Sequence, residues 1–166
     1  MDQAEKLRQK VKAINSEEPL TRVIAITSGK GGVGKTSLSV NLAIQLTNNG
    51  KKVIIIDADF GLANVEVMLG IRPVYTLSDL VYNNKNVEDI ITEGPNGIGF
   101  VSGGSGVQDL VNLDKRNIKL LISKLAKLDN MYDVVIIDTG AGIADSVLEF
   151  VISSPEVIVV VTPEPT

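Results

Sequence analysis

The string Gly29-Lys30-Gly31-Gly32-Val33-Gly34-Lys35-Thr36-Ser37 constrains this chain more than any other part of it. It satisfies G-x-x-x-x-G-K-[ST] and stands between a β-branched run, residues 22–27, and a segment of helical period, residues 35–48. A strand, a glycine loop and a helix in that order aim the free N–H groups and positive dipole end of the helix at a bound anion. Glycines let the backbone wrap a phosphate without side-chain collision. The Lys35 ammonium would neutralise β- and γ-phosphate oxygens, and the Thr36 hydroxyl would ligate magnesium. All nine residues are therefore expected to bind nucleotide.

The rest of the chain repeats the same alternation. Further strands are expected at 52–57, 97–102, 132–138 and 156–162, and a second long helix at 115–128. Leu38, Leu42 and Leu46 fall on one stripe of the first helix, and Asn49-Gly50 supplies its left-handed stop. In the second, Ile118, Leu121, Ile122 and Leu125 share a side. Short β-branched runs alternating with helices predict a doubly wound, mainly parallel α/β sheet covered on both faces. At 166 residues and 44% apolar composition the chain has enough material for one such domain.

Composition removes several chemistries. The chain has no cysteine and no histidine, so disulfides, thiolate metal sites and imidazole bases are excluded. Carboxylates, lysines, hydroxyls and backbone amides must do the work. A net charge of −4 and a pI near 4.9 argue against coating nucleic acid. No signal-peptide stretch opens the sequence, and its apolar runs fall far short of the roughly 20 residues of a membrane span. A cytoplasmic location is expected.

Two carboxylate groups end apolar strands and so belong beside the glycine loop. The first is Asp57-Ala58-Asp59, and the second is Asp138, which closes Tyr132-Asp133-Val134-Val135-Ile136-Ile137-Asp138 in the form of a Walker B strand. Asp138 would hold a magnesium-bound water. Thr139-Gly140-Ala141-Gly142 would follow as a switch loop whose amides sense the γ-phosphate. An aspartate after a buried strand is also an ordinary turn former and cap.

Lys30, a second lysine inside the loop, makes the string resemble the deviant Walker A of the MinD/ParA ATPases, within the SIMIBI class of P-loop NTPases. The resemblance implies ATP and Mg²⁺ as ligands and a homodimer when ATP is bound, with Lys30 reaching the partner's nucleotide. Such a cation contributes ~10³ to 10⁵ in rate, or roughly 4 to 7 kcal/mol. It also makes Lys30, Lys35 and Asp59 the expected catalytic residues, Asp59 orienting the attacking water. Thr36, Asp57 and Asp138 are the expected metal residues.

The opening Asp2-Gln3-Ala4-Glu5-Lys6-Leu7-Arg8 resembles the D-Q-A-x-x-L-R segment of the FlhG (YlxH) family of flagellar regulators. The wider MinD/ParA family often has a proline in its second switch loop, whereas Asp138-Thr139-Gly140-Ala141-Gly142 lacks one and suits the flagellar branch. In that branch the opening segment stimulates an FlhF-like GTPase, so Asp2, Gln3, Ala4, Leu7 and Arg8 are expected to contact such a partner. Ala4, Leu7, Val11 and Ile14 make one apolar stripe with Asp2 as cap and Glu5 in the capping-box position. The expected organisation is a partner segment at 1–20 and a P-loop domain at 21–166, truncated at its C-terminal end. Flagellar switch proteins, and the inner membrane through a helix outside this sequence, complete the partners the resemblance implies. A MinD-type positioning or DNA-binding ParA-type partitioning ATPase and a P-loop ligase of the dethiobiotin synthetase kind are the alternatives, and a degenerate loop with a purely structural role is another.

Overall fold

The computed structural model describes residues 21–60, 64–104 and 115–163. Among the described residues six strands form, namely β1 (Arg22–Ser28), β2 (Val53–Ala58), β3 (Thr92–Glu93), β4 (Gly99–Val101), β5 (Val134–Ala141) and β6 (Glu156–Val159). They pair in the order β3-β4-β2-β5-β1-β6, all parallel except the short β3–β4 pair. The helices are α1 (Lys35–Asn48), α2 (Asn64–Leu69), α3 (Leu77–Tyr82), α4 (Lys115–Leu125) and α5 (Asp145–Ser153). The doubly wound, mainly parallel sheet anticipated from the alternation is present.

Its two faces bury different side chains because successive strand residues point to opposite sides. Ile54, Ile56, Val135 and Ile137 pack against Leu80 of α3, Ile118 and Leu121 of α4 and Phe150 of α5. Ile24, Ile26, Ile55 and Ile136 pack against Val40 and Ala43 of α1 and Val65 and Leu69 of α2. Each fully buried aliphatic side chain contributes roughly 1.5–3 kcal/mol, so the sheet centre holds much of the domain's stability.

Details differ from the sequence expectation. In α1 the buried residues are Lys35, Ser39, Val40 and Ala43, while Leu38 is exposed and Leu42 and Leu46 are half-buried. Small Ser39 and Ala43 let the helix lie close to the sheet, and the leucines flank that contact. The strand expected at 97–102 is shortened because Pro95–Gly97 forms a 3₁₀ turn with Asn96 and Gly97 at positive φ. The helix expected at 115–128 is α-helical to Leu125 and then tightens into a 3₁₀ turn, Ala126–Asn130. β5 continues past Asp138 to Ala141, so three of the four switch-loop residues lie on a strand.

Gly103, just past β4, admits the backbone of β2. A Cβ there would stand 2.6 Å from the Asp57 carbonyl oxygen, whereas at Gly99 it would meet the Tyr132 hydroxyl at 2.5 Å. A main-chain carbonyl in a central strand cannot yield, but the end of a half-buried tyrosine can. Gly103→Ala should therefore cost about 1–3 kcal/mol in chemical denaturation, and Gly99→Ala clearly less. Equal losses in the two variants would show that the β2 backbone is not the constraint.

Candidate functional site

β1 ends beneath the glycine loop and α1 begins on its far side. Gly32 and Gly34 adopt φ of 76° and 95°, left-handed values that cost a residue with a Cβ. Gly34 is the N-cap of α1, which has no side-chain cap and no acidic residue in its first turn. The helix therefore presents uncapped N–H groups and its positive dipole end to the loop. A Cβ on Gly29, Gly31, Gly32 or Gly34 would meet no heavy atom within 4 Å, so the loop opens outward. Lys35 is buried at 8% exposure, Thr36 and Val33 are half-buried, and Lys30 and Ser37 are exposed at the rim.

Asp138 lies directly under this loop and is 1% exposed. Its Oδ2 accepts from Thr36 Oγ1 at 2.7 Å and its Oδ1 from Ser39 Oγ at 2.9 Å. Ser39 was not among the expected site residues. Its position four residues after Lys35, on the same helix face, is the signal that could have found it.

Asp57 is the register partner of Asp138 on the neighbouring strand and is equally buried. Burial pushes the Asp57 carboxyl up to about 8, with the Asp138 and Asp59 carboxylates adding to the rise and backbone N–H groups of Asp59 and Val65 opposing it. The Asp59 N–H donates to Asp57 Oδ1 at 3.1 Å. Asp138 is raised as well, because burial outweighs the Thr36 and Ser39 hydroxyls and the Lys35 ammonium.

Asp59 is half-buried beside the switch loop, where a Cβ on Gly140 would stand 3.7 Å from its Oδ1. Thr139 is buried and its hydroxyl lies 3.0 Å from the Ile26 carbonyl oxygen. Gly142, at φ 95°, donates its N–H to the Ser28 carbonyl at 2.8 Å. The Ser28 hydroxyl in turn donates to the Lys30 carbonyl at 2.7 Å. Ala141 is exposed.

The carboxyl ends of β1, β2 and β5 thus gather Lys35, Thr36, Asp57, Asp59, Asp138, Thr139 and Gly140, with Lys30 at the outer edge. Asp2, Gln3, Ala4, Leu7 and Arg8 lie outside the described residues. Thr36, Asp57 and Asp138 offer hard oxygen donors, which suit Mg²⁺. No group of three or more acidic side chains forms a metal cage among the described residues.

The buried carboxyls give the nucleotide-free domain a pH signature. An Asp57 that holds its proton to about pH 8 when folded, but loses it near pH 4 when unfolded, makes the folded state bind more protons in between. Stability should fall as pH rises through that window, by an amount on the order of a few kcal/mol, and level off above it. Asp57→Asn, which is neutral throughout, should flatten the decline and melt higher than the parent at pH 8 in metal-free buffer. Parallel pH profiles for the two proteins would contradict the buried-carboxyl account.

A family model described as an AAA domain matches residues 21–166. The antiactivator FleN of Pseudomonas aeruginosa is 44% identical over 156 residues, covering 94% of this chain and 55% of FleN. The flagellum site-determining protein YlxH of Helicobacter pylori is 36% identical over 147 residues, covering 88% of this chain and 50% of YlxH. The chain therefore spans about half the length of the curated relatives it matches. Among solved structures, the septum site-determining protein MinD of Pyrococcus horikoshii, complexed with Mg-ADP, superposes with a TM-score of 0.76 at 33% identity, over 87% of this chain and 59% of that one. By sequence and by fold alike, the chain belongs to the AAA-domain family of the FleN, YlxH and MinD proteins.

Proposed function

We propose that this chain is the nucleotide-binding part of a MinD-like ATPase that works as an ATP-dependent dimerisation switch in setting flagellar number or placement. The observation that carries the reading is the convergence of buried Lys35, the Thr36 hydroxyl and the Asp138 carboxylate beneath a loop bent by two left-handed glycines. ATP would rest its β- and γ-phosphates on the loop N–H groups, from Gly29 to Ser37, with Lys35 compensating their charge. Bound Mg²⁺ supplies further charge neutralisation, and Thr36, with Asp138 and Asp57 behind it, fits as its protein side.

Hydrolysis forms a bond from water oxygen to the γ-phosphorus and breaks the bond to the β-phosphate oxygen, releasing ADP, phosphate and a proton. Phosphoryl transfer is mainly positioning and electrostatics, so Asp59 needs only to hold the water in line. Lys30, exposed at the rim, would reach the nucleotide of a second copy. Thr139, Gly140, Ala141 and Gly142 form the switch that registers loss of the γ-phosphate.

The match to the flagellum site-determining protein YlxH supports a flagellar setting, although septum site-determining MinD proteins match at a similar 36–38% identity. The Asp2–Arg8 match to the activator segment supports an FlhF-like GTPase as a partner, with flagellar switch proteins as others. The protein would work in the cytoplasm at the inner face of the membrane, held there by a segment outside these 166 residues. Among the described residues no helix is long and apolar enough to cross a membrane.

Calorimetric titration with Mg-ATP and turnover measured against protein concentration test the reading. Lys35→Ala should weaken binding by at least ~30-fold, from the roughly 2–5 kcal/mol that truncating a buried charge pair costs. Asp59→Ala should bind ATP normally and stop turnover, and Lys30→Ala should bind normally while losing the rise of rate with concentration. Folded protein that takes up no nucleotide would leave a structural loop, and turnover independent of concentration would remove the dimer switch. In a separate arm, Gln3→Ala should lose stimulation of an FlhF-type GTPase with ATP binding unchanged.

A further inference from the structure

At the carboxyl ends of α4 and α5, over the sheet face that carries Val23, Ile56, Val135 and Ile137, lies a cavity of about 220 Å³. Its walls include Val23, Ile122, Leu125, Ile137 and Phe150, and Asp129 and Ser153 stand among its polar lining. The volume is below the roughly 300–1,000 Å³ of small-molecule sites, and it suits a few aliphatic side chains better than a cofactor.

The chain enters the domain beside this cavity. The Thr21 hydroxyl donates to the carbonyl of Asp129, a lining residue, and lies 2.8 Å from that of Tyr132. Two residues on, Val23 is itself part of the wall. Thr21, the first described residue, therefore stands at its edge. The stripe Ala4, Leu7, Val11 and Ile14 is joined to Thr21 by residues 15–20, which reach up to ~20 Å when extended. Residues 1–14 carry four basic and two acidic side chains, which leaves the remainder of the chain at −6 against −4 for the whole.

We propose that residues 4–14 of this same chain seat their apolar stripe in the cavity between α4 and α5, so that the segment is held by its own domain. An amphipathic helix of this length is marginal alone in water and gains stability by burying its stripe. A linker of six residues makes that burial intramolecular, with a high effective concentration. Ile137 lies one residue before Asp138, and Phe150 is on the helix that follows Gly142, so occupation of the cavity bears on both sides of the switch loop. That a GTPase must then compete for the segment rests on the partner proposed above; the contact itself does not.

The chain has no tryptophan, so Leu7→Trp in the 166-residue protein is a single reporter. Its emission should be blue-shifted and protected from acrylamide relative to a peptide of residues 1–20 with the same substitution, and unchanged on dilution. Ala126→Arg, at an exposed lining position, should abolish the shift while the domain still melts cooperatively. Should that variant not fold, Ser153→Arg, also exposed and lining, serves in its place. Emission equal to the peptide's, a shift that survives in a folded cavity variant, or a shift lost on dilution would each overturn the proposal. None of these readouts involves nucleotide, so failure of the proposed ATPase activity leaves the test intact.

Discussion

The carboxylate of Asp138 is the point on which this structure turns. It ends the apolar run of β5, it is almost wholly shielded from water, and it is held by two hydroxyls from consecutive turns of α1, Thr36 and Ser39. A buried carboxyl without partners costs several kcal/mol, so those hydroxyls fix the height and rotation of the helix over the sheet. With α1 so placed, the glycine loop has a defined start at Ser28 and a defined end at Gly34. The cradle is a product of that tether as much as of its glycines.

Two kinds of structural information were carried differently by the chain. Local chemistry was plain: the ends of α1 agree with a helix opened by Lys35 and stopped by Asn49-Gly50, and the apolar runs of β1, β2 and β5 lie at the centre of the sheet. The packed face of α1 was not plain, because a leucine stripe predicts burial only if the helix stands a leucine's width from its support. Ser39 and Ala43 bring it closer, and the leucines move to the flanks. That distance is set by the partner surface, which no local pattern contains.

Short elements were also hard to read. α2 and α3 have six residues each, too few for a helical period to declare itself. α3 did have one local mark, a capping box in which the Thr76 hydroxyl accepts from Ser78 N–H and Asp79 accepts from Thr76 N–H. In the site, the positions of Asp57 and Asp138 at strand ends were legible from the sequence. Their side-by-side register was not, since it depends on β5 inserting between β1 and β2.

Ser28 touches both halves of the loop system: its carbonyl takes the Gly142 amide and its hydroxyl grips the Lys30 carbonyl. It therefore joins the segment proposed to feel phosphate leave to the segment carrying Lys30, the lysine proposed to reach a neighbour. Motion on one side would load the other through these two hydrogen bonds. If the proposed switch operates, no long relay between chemistry and assembly is needed, because one serine spans the distance.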